Sequence, residues 1–234
     1  MYLDWSYIIL VLPAVIFAMA ASARVSSVYR KYSDQRSRRG ITGAQAARRI
    51  LDANGLGNVR LERVPGELTD HYDPKANIIR LSDSVYDNPS AAAVGIACHE
   101  VGHALQYASG YQPIKLRMAI IPVTQIGSKL AIPLVMIGLI LDALSGMFLS
   151  LAYVGIVLFA LCTVFQLITL PIEYNASNRA REQISACGLL YDDEIKDVRK
   201  VLNAAALTYV ASLAVSLMQL LRLLLIVSGR RSRD

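Results

Sequence analysis

The sequence predicts a mainly α membrane protein: three or four membrane helices joined to a small α+β module on the cytoplasmic side. Three observations carry this. Apolar residues make up 54% of the 234 residues, above the roughly 45–50% of soluble domains, and the mean hydropathy is +0.40. The excess is gathered into long runs rather than spread along the chain. The 24 basic residues against 18 acidic ones, a net charge of +6, stand beside those runs, which is the positive-inside pattern of a membrane protein and not the stripe of a nucleic-acid binder.

The first run, residues 5–23, carries no charge and as a helix covers about 30 Å, the thickness of a bilayer core. Arg24, Arg30, Lys31, Arg36, Arg38 and Arg39 follow at once, so the N-terminus is expected outside and the chain beyond Arg24 in the cytoplasm. Residues 1–7 lack a basic start and contain Asp4, so no cleavable signal peptide is expected. The cysteines Cys98, Cys162 and Cys187 are odd in number and one lies in an apolar run, which argues against a disulfide framework.

Residues 40–117 read as the α+β module. Thr42 can cap a helix that stops at Asn54-Gly55, and residues 59–64 alternate apolar and charged side chains, as a half-buried strand does. Pro65-Gly66 marks a turn and the stretch from Asp70 to Pro74 a loop. Asn77 to Ser82 (NIIRLS) reads as a second strand, and Ser90 caps a helix that runs to about Ser109 and is closed by Gly110.

Residues 119–171 read as a helical hairpin turning near Asp142–Gly146, a turn without Lys or Arg, as an external loop should be. Lys129 in the first arm snorkels to the inner interface, and Pro122 and Pro133 permit kinks. Residues 172–200 return to a charged helical pattern in two pieces separated by Gly188. The last apolar segment, residues 201–227, is interrupted by Arg222 and followed by Arg230, Arg231 and Arg233. A span would leave that basic tail outside, against the positive-inside bias, so spanning the bilayer, lying in its interface and packing on the module as an Ala-rich helix all remain open.

The chemistry is concentrated in CHEVGHALQ, where His99, Glu100 and His103 form an HExxH pattern on the expected helix. Residues four apart lie one above the other on a helix face, so both imidazoles reach one metal ion. Glu100 lies to the side, where it can take a proton from an attacking water and pass it to the leaving amine. A catalytic zinc site needs a third protein ligand and one open position. The remaining chain offers Glu173, as the start of a helix where the chain leaves the bilayer, and His71, the only other histidine. Two His and one Glu leave a corner vacant, which favours catalysis over a structural zinc staple in a non-catalytic scaffold, the alternative reading.

HEVGHALQ, then two membrane spans, then Glu-x-x-Ala-Ser in PIEYNASNRA, resembles the gluzincin arrangement of the HtpX and CAAX prenyl endopeptidase group. The whole chain resembles the YugP-like family of neutral zinc metallopeptidases in bacterial membranes, through LTDHYDPKANIIRLSDSVY, AAAVGIACHEVGHALQ, LPIEYNASNRA and LNAAALTYVASL. The resemblance implies a zincin-like module and one Zn2+ per chain held by His99, His103 and Glu173. It further implies Glu100 as catalytic base, a polypeptide substrate, and a multi-pass protein of the bacterial cell membrane working at the cytoplasmic face. Ser177 stands where the HtpX-type pattern has Asp; its hydroxyl can hydrogen-bond a ligating histidine, more weakly than a carboxylate would.

His71 is expected to contact substrate or stabilise the oxyanion, with Tyr72, Tyr174 and Tyr209 as further donors. Cys98 reads as a small buried side chain, and the Asn175-Ala176-Ser177 sequon as coincidence. By analogy with zinc peptidases, NIIRLS is expected to be an edge strand that pairs with substrate, Leu81 lining a pocket.

Overall fold

The computed structural model describes residues 5–231; Asp4 and Arg233, used above in reading the termini, lie outside them. A π-helical turn, Tyr7–Val11, leads into α1 (Leu12–Ser33). There follow α2 (Gly43–Ala53), β1 (Arg60–Val64), β2 (His71–Asp73), β3 (Ile78–Ser82), α3 (Asp83–Tyr86), α4 (Ala91–Ala108), α5 (Gln112–Ser145), α6 (Leu149–Ala186) and α7 (Asp192–Arg231). Among the described residues, four helices are long and apolar enough to cross a membrane, the last of them Asp192–Gly229, which contains the segment left open above. The protein is a mainly α membrane protein with a small α+β module.

The chain divides into two compact units. The first gathers residues 5–20, 115–170 and 208–231. Its helices meet through small residues, since lipid supplies no hydrophobic drive between apolar helices and close backbone approach must do the work. A Cβ on Gly138 would stand 2.4 Å from the Ala152 nitrogen, and one on Gly155 would stand 2.6 Å from the Ala131 carbonyl oxygen. Val135, Ala152, Ile156, Leu223 and Val227 form the buried cluster, while Ile126, Ile137, Val157 and Leu167 stay exposed, as lipid-facing side chains do.

The second unit, residues 21–114 and 171–207, holds the sheet and α4. The Thr42 hydroxyl and the Gln45 side chain cap α2 reciprocally, and the Ser90 hydroxyl accepts the Ala93 N–H at the start of α4, each satisfying helix donors that would otherwise be unpaired. The sheet order is β1-β3-β2. Strand β3 pairs in parallel with β1 along all five residues and antiparallel with β2, where His71 faces Arg80 and Tyr72 faces Ile79. Ile50, Leu51, Ile79, Leu81, Val94, Val101 and Ile184 are fully buried between the sheet and the helices, each contributing about 1.5–3 kcal/mol by leaving water.

Three expectations need correcting. NIIRLS is the central strand, paired on both sides, and Leu81 is wholly buried, so neither offers substrate a free edge or a pocket. The edge next to α4 is instead β2, where the sequence reads as a loop because Asp70, Asp73 and Pro74 are turn residues. Glu173 does not begin a helix: α6 runs unbroken through Pro171 to Ala186, and the break comes only at Gly188, whose φ is +58°.

Candidate metal centre

Helix α4 is buried along most of its length, and its small residues let other backbones come close. A Cβ on Gly95 would meet Val198 side-chain carbons at 2.8 Å. At Gly102 the neighbour is the α6 backbone itself, in the turn that carries Glu173 and Ser177. The HExxH residues therefore sit directly beside that turn.

His99, His103 and Glu173 converge, with their candidate ligand atoms all within 4.8 Å of one another. Glu173 Oε2 lies 3.2 Å from His99 Nε2 and 3.4 Å from His103 Nε2. Two ligand atoms on a tetrahedral zinc with bonds near 2.1 Å are about 3.4 Å apart, so these separations suit one ion shared by all three groups. The imidazole rings stand nearly perpendicular, 84° between planes. Glu173 is 3% exposed, the two histidine side chains 16% and 13%, so the carboxylate forms the floor and the imidazoles line the open side.

A carboxylate this buried needs cationic or hydrogen-bonding company. Without a metal the histidines supply it. Burial by itself drives the His103 imidazolium toward the neutral form, but the hydrogen bond and charge of Glu173, with the charge of Glu100, outweigh it and raise the pKa. The pocket thus favours a cation, whether proton or metal. Glu100 is buried at 8% exposure and stands outside the three-residue group. Its charge also adds to the burial that raises the pKa of Asp70, whose carboxylate accepts the Ser82 N–H and hydroxyl at 2.8 and 3.0 Å.

The other residues singled out in the sequence are also placed. Ser177 Oγ lies 3.1 Å from His99 Nδ1, the bond expected of it. Cys98 is fully buried, its thiol pKa pushed up by that burial. His71 is not part of the group. Successive strand residues face opposite ways: Tyr72 packs edge-on against Tyr107 of α4, ring centroids 5.5 Å apart, while His71 is exposed, with Nδ1 at 2.9 Å from the Thr69 carbonyl and Nε2 at 3.3 Å from Arg80. Tyr72 donates its hydroxyl to Asn77, Tyr174 is 42% exposed, and Tyr209 belongs to the first unit. One residue went unnoticed in the sequence: Gln106, fully buried, with Oε1 at 3.0 Å from His103 Nδ1. Its place three residues after His103, on the same helix face, was the available signal.

A family model described as "Putative neutral zinc metallopeptidase" matches residues 7–228. The "Putative membrane protease YugP" of Bacillus subtilis (strain 168) is 46% identical over 228 residues, covering 97% of this chain and 99% of the relative. No solved structure matches.

Proposed function

The chain belongs to the putative neutral zinc metallopeptidase family, and from that premise we propose that it is a membrane-bound zinc endopeptidase cutting membrane or membrane-proximal polypeptides at the cytoplasmic face. The observation that carries this is the approach of one Glu173 oxygen to both Nε2 atoms, with a buried Glu100 left over on the same helix. His99, His103 and Glu173 would hold one zinc ion per chain, which as a Lewis acid polarises the attacking water and the scissile carbonyl. Glu100 takes the proton of that water and returns it to the amine nitrogen as the C–N bond breaks. Strand β2 offers its outer edge to an extended peptide, whose backbone hydrogen bonds demand little of the sequence.

The cytoplasmic orientation rests on charge. Arg24, Arg30 and Lys31 beyond the first apolar run, Lys115 and Arg117 before the hairpin, and Arg179 and Arg181 after it are assigned to one side and the hairpin turn has no basic residue, the exception being the basic residues that follow the last apolar helix. A site held at the bilayer surface meets embedded substrates at high effective concentration.

The test is Glu100→Gln in the full-length protein, with zinc measured by elemental analysis and cleavage followed on unfolded and membrane polypeptides. The expected result is one zinc per chain in both proteins and cleavage only by the wild type, with Glu173→Ala losing the metal. A zinc-loaded wild type that cleaves neither class of substrate would make the protein a scaffold with a structural ion.

A further inference from the structure

The hydrogen bonds behind His103 form a chain in which every donor and acceptor is dictated. Arg179 can only donate, and its Nε lies 2.9 Å from one side-chain atom of Asn175, which must therefore be the carbonyl oxygen Oδ1. The amide nitrogen of Gln106 faces that oxygen at 3.0 Å and the Ile172 carbonyl oxygen at 2.8 Å. A main-chain carbonyl can only accept, so the amide cannot be turned over and Oε1 must face His103 Nδ1. His103 Nδ1 then has to carry a proton, so that the neutral ring keeps its lone pair on Nε2, the nitrogen directed at Glu173. His99 has no such constraint: its Nδ1 meets the Ser177 hydroxyl, which can donate or accept.

From this we infer that Gln106 is the positioning residue of the metal centre: it holds His103 in the one tautomer able to bind an ion through Nε2, and ties it to the stretch of α6 that bears Glu173. The inference rests on the proposed metal site. The two α6 atoms it grips belong to residues 172 and 175, on either side of Glu173, so one amide sets both a ligand's proton and the spacing between two ligands. Gln106 is wholly buried, where a polar group left without partners is costly. All its side-chain capacity beyond one lone pair is spent on this arrangement. Asn175, in the stretch read as a chance sequon, is the link that keeps the amide from rotating, and Arg179 anchors it.

The experiment compares full-length wild type, Gln106→Leu, Asn175→Leu and Asn175→Asp in detergent. It reads zinc affinity by chelator competition, the visible spectrum of the cobalt(II)-loaded protein, and thermal unfolding of the metal-free protein. Gln106→Leu is expected to bind zinc about 10- to 100-fold more weakly and Asn175→Leu about tenfold more weakly, the size typical of losing a residue that orients a metal ligand, each with an altered cobalt spectrum. Asn175→Asp keeps an acceptor toward Gln106 and Arg179 and retains the wild-type spectrum. Wild-type affinity and spectrum in a folded Gln106→Leu protein overturn the inference. Should that variant not fold, the Asn175 pair decides: equal affinities for Leu and Asp overturn it, and separation supports it. A wild type that takes up no zinc removes the metal reading, and this inference with it.

Discussion

Gly102 of α4 and Ala176 of α6 touch through their backbones: a Cβ on Gly102 would stand 2.4 Å from the Ala176 carbonyl oxygen and 3.1 Å from its Cα. No side chain can yield there. Because Gly102 adjoins His103 and Ala176 lies between Glu173 and Ser177, this contact sets how near the carboxylate comes to the imidazoles. Gly102→Ala should therefore cost about 1–3 kcal/mol of stability through overpacking and weaken zinc binding by about tenfold or more. Gly95→Ala, whose nearest neighbours are Val198 side-chain carbons, should destabilise and leave zinc affinity unchanged. Thermal unfolding and metal titration of the two variants side by side check this.

Ser177→Ala removes the partner of His99 Nδ1 while leaving all three candidate ligands in place. A hydroxyl holds an imidazole more loosely than a carboxylate does, so the loss in zinc affinity should sit near the low end, about tenfold, of the range for such partners. An unchanged affinity would show that the packing around His99 is enough to orient it.

His71→Ala should keep full zinc content and lie within about 0.5 kcal/mol of the wild type. The ring is exposed, and Arg80 retains Asp73 at 3.2 Å and Glu62 at 3.3 Å without it. Metal analysis of the purified variant decides: zinc lost on this substitution would return His71 to the ligand set.

Asp73 gives a pH dependence of defined sign. Its carboxylate accepts the Ala76 N–H at 3.2 Å, the Lys75 N–H at 3.0 Å and Arg80 at 3.2 Å. The Ala76 hydrogen bond above all, helped by Arg80 and Lys75 against a smaller desolvation effect, holds its pKa below the ordinary carboxylate value. A depressed folded pKa means stability that is present above the unfolded value and lost as pH falls through the folded one. The stability gap between wild type and Asp73→Asn should accordingly be constant near neutrality and narrow on acidification below about pH 4. Denaturation across that range measures it, and a gap indifferent to acid would mean the carboxylate is unpaired in solution.

What could be read in advance was what depends on neighbours in sequence. The Thr42 and Ser90 caps are local chemistry, and both helices begin where those residues say. His99 and His103 share a face because of helical spacing alone. Strand order is different: nothing local in Ile78–Ser82 reveals that both of its edges are taken, because that depends on pairing with Arg60–Val64 and His71–Asp73. Strand β2 hid behind its own turn residues, and the change from apolar to charged sequence after residue 171 suggested a new helix at Glu173 where α6 continues, since the one proline there removes a single helix hydrogen bond and a long packed helix absorbs it. Gln106 was missed because its partners, Ile172 and Asn175, lie more than sixty positions away.

In the proposed reading, the shortness of β2 limits how much peptide its edge can hold. Three residues span about 10 Å, so a chain laid along that rim gains only a few backbone bonds, enough to steady a frayed or slack stretch but not to unravel a folded domain. Selectivity would then follow from which polypeptides have already come loose near the bilayer.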